Sequence, residues 1–308
     1  SVVRGGVDIE GSKKTQMAVS NLGEAGKGVE ADLIQKHAPE AMPESWTDVH
    51  KHFKDLPHKT PSQRIRSIKK LQERMQAEHG AGGDFFLKPT QGLQSGGAFP
   101  RGSSDWADDL RRYKDLLAAP KQRALFNEHK DDPTSLAGFL NPDDGESLLE
   151  GHTLHHALKD PSSVFGQRVL EEPLGEWRVH TMAGSAPLHL MSPRHGSAVN
   201  FAKLIPGMAG IGGVKAKNIQ ALVEDTLSKL PPEYQHGSYG MDVMPYKRPD
   251  GSVGIKILEM NPTERWSPET GGGGGSGLID TSVVPYAGHA HYRAATGRHT
   301  PLVAGLGA

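Results

Sequence analysis

Three side chains with oxygen donors lie near one another in the last third of the sequence. Asp242 falls in a β-prone run, and Glu259 and Asn261 end the next such run, shortly before five consecutive glycines at 271–275. Carboxylate and amide oxygens are the ligands that Mg²⁺ prefers, and a flexible glycine loop suits a nucleotide phosphate. These residue types and their order indicate a Mg²⁺–nucleotide site.

A β-hairpin is predicted to position these donors. Residues 239–244 and 253–260 are rich in β-prone side chains, and the Lys-Arg-Pro-Asp-Gly segment between them favours a turn. Side chains two residues apart on a strand lie on the same side, so Glu259 and Asn261 share a face. The hairpin is therefore expected to bring three oxygen ligands together.

Composition narrows the range of partners. The chain has 308 residues, enough for two or three lobes, and its 35 basic and 36 acidic side chains give no net field that favours nucleic acid or an anionic membrane. It has no cysteine, which excludes disulfides, thiolate nucleophiles and zinc–thiolate centres.

No apolar run reaches the ~18 residues of a membrane span, and no signal-peptide pattern opens the chain. We expect a cytoplasmic protein, and the initial Ser1 indicates an excised domain or a processed product.

A lysine upstream has the setting of a phosphate ligand. Residues 85–88 form a short apolar run that ends in Lys88, and the glycine-rich loop that follows includes Ser95, Gly96 and Gly97. Lysine is a compact cation, and glycines let backbone N–H groups approach phosphate oxygens. Taken alone, an ordinary strand exit with a flexible turn is the favoured interpretation.

A strand in the middle of the chain carries several charged side chains. A tight connection at 173–175 precedes it, and period-two alternation puts Glu176, Arg178 and His180 on one face. Residues 186–191 and 198–205 are predicted to continue an antiparallel meander.

Amphipathic helices are predicted beside these strands. One begins at Pro61 and ends before the glycines at 80–83, and another covers 215–230, because apolar residues recur there every three or four positions. Arg194 and Lys203 fall at or near ends of the predicted strands.

Histidines form a second set of ligand-type residues. His152, His155 and His156 occupy neighbouring positions on a predicted helix, a spacing that could bind a metal. No third class of ligand lies nearby, so a solvated or packed histidine face is the favoured interpretation. The same holds for His289 and His291, which alternate on an extended segment.

The order of these pieces resembles a known superfamily. They are a lysine before a glycine loop, a Glu-Glu-Pro-Leu hinge at 171–174, a Glu-x-Arg strand, and an Asp followed by Glu-x-Asn. This order and spacing resemble the ATP-grasp carboxylate–amine ligases, such as D-alanine–D-alanine ligase, the ribosomal-protein glutamate ligases and the tubulin tyrosine ligases. The resemblance covers roughly residues 64 to 280, and the hairpin from Asp242 to Asn261 is its most specific part.

The resemblance implies a role for each matched position. The nucleotide phosphates would be met by Lys88, Ser95, Gly96 and Gly97. The adenine and ribose would be met by Glu171, Glu172, Leu174 and Glu176. Mg²⁺ would be bound by Asp242, Glu259 and Asn261. The catalytic cations would be Arg178, Lys203 and Arg265, and the substrate would be bound by Arg194, Ser276 and Gly277.

The implied fold is α+β, with an ATP-grasp arrangement of two α+β lobes, the nucleotide between them, and a reduced or atypical N-terminal lobe. We expect a largely helical or truncated segment at 1–60, a lid lobe at 61–176, and a C-terminal lobe with the metal site and substrate loop at 177–308.

The implied activity depends on ATP and Mg²⁺, with Mn²⁺ as a substitute. It joins a carboxylate to an amine of an amino acid, peptide or protein through an acylphosphate, and so forms an amide or peptide bond. Two alternatives stay open: a kinase that phosphorylates the hydroxyl of a small molecule, and a non-catalytic domain that binds nucleotide or a partner. Neither nucleic acid nor membrane is expected as a partner.

Some positions depart from the family pattern. D-alanine–D-alanine ligases carry an arginine two residues before the first metal-ligand aspartate, where this chain has Gly240, so an arginine for the oxyanion must come from elsewhere. Residues 1–60 lack a βαβ pattern, which indicates a truncated or helical N-terminal lobe. The glycines at 271–275 fit a nest of N–H groups for an anion, a flexible loop, or an engineered linker.

Overall fold

A computed structural model describes residues 9–53, 60–79, 85–90, 105–129, 140, 142–181, 184–186, 191–195, 198–199 and 214–262. These residues form helices and two antiparallel sheets, so the α+β class expected from the sequence is confirmed. The chain divides into two compact units. We call residues 26–35 and 42–171 the three-stranded unit, and residues 1–25, 36–41 and 172–308 the five-stranded unit. The three-part division expected from the sequence stays a prediction.

The three-stranded unit contains a small antiparallel sheet and most of the helices. Its strands are β1 (Ser45–Trp46), β2 (Phe85–Pro89) and β3 (Val164–Arg168), in the order β1-β3-β2. Its helical segments are most of α2 (Lys27–His37), then α3 (His50–Phe53), α4 (Pro61–His79), α5 (Trp106–Ala118), α6 (Pro120–Glu128) and α7 (Pro142–Lys159). The core of this unit includes Phe53, Ile68, Phe85, Trp106 and Leu154, each 0 % exposed.

The helix predicted from Pro61 is confirmed as α4. Thr60 caps its start: the backbone N–H of Gln63 donates to Thr60 Oγ1 at 3.4 Å, and the Gln63 side chain accepts from the backbone N–H of Thr60 at 3.2 Å. This reciprocal pattern is a capping box. Ile68, Leu71 and Met75 are at most 2 % exposed, because their spacing places them on one face of the helix.

The five-stranded unit is built on a second antiparallel sheet. Its strands are β4 (Glu176–His180), β5 (Met191–His195), β6 (Ala198–Val199), β7 (Tyr239–Lys247) and β8 (Val253–Pro262), in the order β6-β5-β4-β7-β8. Its helices are α1 (Ile9–Ala25), α8 (Ala216–Lys229) and α9 (Pro232–Gln235). One face of the sheet packs into a core that includes Val179, Met241, Val243, Ile257 and, from α8, Ile219, each 0 % exposed.

Most predicted elements of this unit are confirmed. The hairpin is present and longer than predicted, and the helix predicted at 215–230 is α8. Of the strand predicted at 186–191, residues 187–190 lie outside the described residues; Ala186 is not in a strand, and Met191 is the first residue of β5, which pairs with β4. Of the strand predicted at 198–205, residues 200–205 lie outside the described residues. No helix in the described part of the chain is long and apolar enough to cross a membrane.

The predicted histidine group packs against aromatic side chains of its own unit. Nδ1 of His152 lies 3.4 Å from the hydroxyl of Tyr113, and the ring centroids of His152 and His156 are 4.3 Å apart. Burial, followed by the charges of His156, His155 and Lys159, lowers the pKa of His152 to about 4. His152 therefore resists protonation in the folded chain.

We expect the free energy of unfolding to fall by about 1 to 2 kcal/mol between pH 7 and pH 5 through His152. The unfolded chain takes up a proton near the ordinary pKa of 6.5, whereas the folded chain takes it up only near a pKa of about 4. The stability contributed by neutral His152 is therefore complete above pH 6.5 and is lost as the pH falls toward 4. Urea unfolding at each pH should show a flatter profile for His152→Gln, and an unchanged profile would contradict this account.

Candidate functional site

The predicted metal ligands lie on one face of the five-stranded sheet. Register pairs Arg178 on β4 with Asp242 on β7, and Asp242 with Glu259 on β8. Further along β7, Gly240 pairs with Asn261. Paired positions of antiparallel strands present their side chains to the same face. Three neighbouring strands thus bring the two acids, the amide and a guanidinium together.

An irregularity in β8 makes this arrangement compatible with the core. Asp242 pairs with Glu259, but its neighbour Val243 pairs with Ile257, so Leu258 is an extra residue in β8. On a regular strand Ile257 and Glu259 would face the same side. The bulge lets Ile257 pack in the core at 0 % exposure while Glu259 joins Asp242.

Arg178 and Asp242 form a poorly solvated ion pair. Nε of Arg178 lies 3.0 Å from Oδ1 of Asp242, and the two side chains are 13 % and 8 % exposed. Nη1 of Arg178 also donates to the carbonyl oxygen of Gly240 at 3.4 Å. Because water is largely excluded, each charge depends on the other. The guanidinium is thereby fixed next to the first predicted metal ligand.

Gly240 makes room for this guanidinium. A Cβ at Gly240 would lie 3.2 Å from Nη1 of Arg178, which is closer than ordinary contact, and 3.7 Å from the ring of His180. D-alanine–D-alanine ligases have an arginine at the position that Gly240 occupies here, and in this chain Arg178 from β4 places its guanidinium beside Gly240. Nδ2 of Asn261 donates to the same carbonyl oxygen at 3.4 Å, which leaves the amide oxygen of Asn261 as its acceptor end.

His180 lies on the same face and is neutral at physiological pH. It is 6 % exposed, and burial, followed by the charge of Arg178, lowers its pKa to about 3. The imidazole therefore adds no positive charge beside the guanidinium. The sequence placed His180 on this face but assigned it no role.

The predicted adenine hinge is attached to β7 by its backbone. The carbonyl oxygen of Glu172 accepts from the backbone N–H of Lys247 at 3.1 Å, and the N–H of Leu174 donates to the carbonyl of Pro245 at 2.9 Å. Glu172 has φ 43, a left-handed conformation, and its carboxylate pairs with Lys247 Nζ at 3.1 Å. Glu171 and Glu172 are exposed. These contacts hold the segment beside the hairpin-turn end of β7, the strand that carries Asp242.

Two further predicted residues have defined places in the sheets. Glu176, at the start of β4, is half-buried and pairs in register with Arg194 on β5. In the three-stranded unit, Lys88 is half-buried on β2, and its Nζ donates to Oε1 of Gln167 at 2.5 Å.

The remaining predicted site residues lie outside the described part of the chain. They are Ser95, Gly96, Gly97, Lys203, Arg265, Ser276 and Gly277. The side chain of Arg194 and the glycines at 271–275 are also outside it. The roles that the resemblance implies for them stay predictions.

The donor set on the sheet face suits a hard cation. Among the described residues, no group of three or more His, Cys, Asp or Glu side chains is placed to hold a metal ion. A metal ion on this face would instead meet two carboxylates, from Asp242 and Glu259, with the amide oxygen of Asn261 as a third donor. Mg²⁺ commonly binds through one or two carboxylates and takes its other ligands from water and phosphate oxygens. The residues present fit Mg²⁺ better than a thiolate- or imidazole-preferring metal.

Comparisons with known proteins give no sequence family, because no family profile and no curated protein matches the chain. Three similar solved structures are weak matches. The ATP-grasp ligase PsnB, in complex with the precursor peptide PsnA2 and AMPPNP, is 14% identical over 80% of this chain and 50% of its own, with a TM-score of 0.30. D-alanyl-alanine synthetase A from Vibrio cholerae is 10% identical over 86% of this chain and 65% of its own, with a TM-score of 0.38.

The third structure is C-terminally truncated Cdc123 from Schizosaccharomyces pombe. It is 13% identical over 91% of this chain and 95% of its own, with a TM-score of 0.38. The chain thus spans half the length of the PsnB chain. An ATP-grasp ligase is among the structures that this chain resembles, but all three TM-scores are below 0.5. Any functional role therefore has to be argued from this chain's own residues.

Arg178→Met should destabilise the protein by about 3 to 5 kcal/mol, because it leaves the Asp242 carboxylate buried without its cation. Arg111→Met is the matched control, since the Arg111–Asp108 pair on α5 is 54 % and 38 % exposed, and we expect less than about 1 kcal/mol there. Urea unfolding at neutral pH measures both. Equal losses in the two variants would show that the Arg178–Asp242 pair is not desolvated.

Proposed function

We propose that this protein is an ATP- and Mg²⁺-dependent carboxylate–amine ligase of the ATP-grasp type. The observation that supports it best is the convergence of Asp242, Glu259 and Asn261 beside Arg178 on one sheet face. Two acids and an amide next to a fixed guanidinium suit a phosphoryl-transfer centre, where a cation and an arginine balance the charge of phosphate oxygens.

Asp242, Glu259 and Asn261 would hold Mg²⁺, or Mn²⁺ in its place. A bound divalent ion supplies the positive charge that offsets the negative phosphate oxygens of ATP. Asp242 is already paired with Arg178, so a metal ion bound there would share the carboxylate with the guanidinium.

Arg178 would stabilise negative charge that develops during the reaction. Its guanidinium is held by the Asp242 carboxylate and the Gly240 carbonyl, so little reorganisation is needed when an anion approaches. Neutral His180 does not compete for that anion. The resemblance adds Lys203 and Arg265 as further catalytic cations, and both assignments stay predictions.

Nucleotide recognition would use the predicted hinge and Lys88. The carbonyl of Glu172 and the N–H of Leu174 are bonded to β7, so adenine would meet the other polar groups of 171–174, with Glu176 near the ribose. Lys88 would contact the phosphates, together with Ser95, Gly96 and Gly97. Arg194, Ser276 and Gly277 would bind the substrate.

The proposed reaction needs no side-chain nucleophile. A substrate carboxylate oxygen attacks the γ-phosphorus of ATP, ADP leaves, and an acylphosphate forms. The amine of an amino acid, peptide or protein then attacks the acyl carbon, phosphate leaves, and the amine loses a proton as the amide forms. A chain without cysteine is compatible with this chemistry.

Product analysis tests the reaction class directly. With ATP, Mg²⁺ and pools of amino acids and peptides, we expect an amide product with equal amounts of ADP and inorganic phosphate, identified by mass spectrometry and a phosphate assay. A phosphorylated product without free phosphate would support a hydroxyl kinase instead. No turnover with any pool would favour a non-catalytic nucleotide-binding domain.

We expect Glu259→Gln and Lys88→Ala each to lower ATP turnover by at least about 100-fold while the fold stays intact. Glu259→Gln removes a metal-binding charge, and Lys88→Ala removes the phosphate cation. Matched controls are Glu233→Gln and Lys69→Ala, which change exposed side chains on α9 and α4. Turnover at the wild-type rate in either test variant would overturn that residue's assignment.

A further inference from the structure

A buried glutamine lies beside Lys88 in the three-stranded unit. Gln167 on β3 is 2 % exposed, and register pairs it with Ser45 on β1 and Phe86 on β2. Lys88 is two residues beyond Phe86 and therefore shares this face of the sheet. A buried amide has a desolvation cost unless both of its ends find partners.

Hydrogen bonds fix the orientation of this amide. Nζ of Lys88 donates to Oε1 of Gln167 at 2.5 Å, and Nε2 of Gln167 donates to Oγ of Ser45 at 3.1 Å. The hydroxyl of Ser45 donates in turn to the carbonyl of Pro43 at 3.0 Å. A lysine ammonium can only donate, so the amide oxygen must face Lys88. The Ser45 hydrogen is used by Pro43, so Ser45 Oγ is an acceptor for the amide nitrogen.

The backbone anchors the far end of this chain of bonds as well. The N–H of Ser45 donates to Oε1 of Gln35, a residue of α2, at 3.1 Å. Two strands and a helix therefore hold the amide oxygen of Gln167 at a defined point next to the Lys88 ammonium. Fixing the ammonium in this way lowers the entropy that Lys88 would lose on binding an anion.

The chemistry of the partner also suits anion binding. A carboxylate at position 167 would neutralise Lys88 and compete with an incoming anion, whereas an amide oxygen orients the ammonium and leaves its charge intact. We propose that Gln167 is a positioning residue that holds the Lys88 ammonium for the phosphates of the nucleotide. This inference rests on the proposed function, because it takes Lys88 as the phosphate-binding lysine.

The affinities of AMPPNP and adenosine separate positioning from a merely structural role. With Mg²⁺ present, calorimetry on the full chain should show AMPPNP binding roughly 5- to 10-fold weaker in Gln167→Met, since about one hydrogen bond is lost. Adenosine has no phosphate, so its affinity should stay within about twofold. Gln122→Met on α6 serves as the control and should change neither affinity. Equal weakening of both ligands in Gln167→Met, or no weakening of either, would overturn the inference.

A stability cycle tests the contact without nucleotide. Gln167→Met, Lys88→Met and the double variant are compared by urea unfolding, and we expect their effects to be non-additive because the side chains share a hydrogen bond. Additive effects would show that the contact does not form. If the two substitutions are coupled in stability but Lys88→Met leaves the AMPPNP affinity unchanged, the Lys88–Gln167 contact forms but Lys88 does not bind phosphate. That result would overturn both the assignment of Lys88 and the positioning role of Gln167.

Discussion

The register shift between Asp242 and Val243 is the constraint on which the candidate site depends. On a regular β8, Ile257 and Glu259 would point to the same face, so either the core would lose an apolar side chain or the site would lose a carboxylate. One extra residue, Leu258, removes this conflict. The bulge keeps the core face apolar and collects the acids on the other, which is a common use of bulges next to functional sites.

The electrostatics of the sheet face follow from this geometry. A carboxylate as buried as Asp242 needs a counter-charge, and the guanidinium 3.0 Å away provides it. Gly240 leaves the space that the guanidinium occupies, and His180 stays neutral, so the face does not accumulate excess positive charge. A divalent ion at Asp242 would share or take over the role of Arg178 as counter-charge. The ion pair and the proposed metal site are therefore linked.

Local features of the fold could be predicted from the sequence, and contacts between distant segments could not. The hairpin and the helix from Pro61 follow from alternation, turn residues and apolar spacing, which are all short-range patterns. The bulge depends on how two strands pair. Its only signal in the sequence was the adjacent apolar pair Ile257 and Leu258, which breaks the apolar–polar alternation of a strand. The glycine at position 240 suggested that an arginine was missing there. The sequence could not show that Arg178, 62 positions earlier, places its guanidinium beside Gly240. The Lys88–Gln167 contact, across 79 positions, was missed for the same reason.

We propose that Asp242, Glu259 and Asn261 form one divalent-cation site for a nucleotide. Crystals grown with AMPPNP and Mn²⁺, examined by anomalous diffraction, test it most directly. We expect a manganese peak at ligand distance from the carboxylates of Asp242 and Glu259 and next to the phosphates. A peak bound elsewhere, or nucleotide bound with these carboxylates free of metal, would contradict the claim.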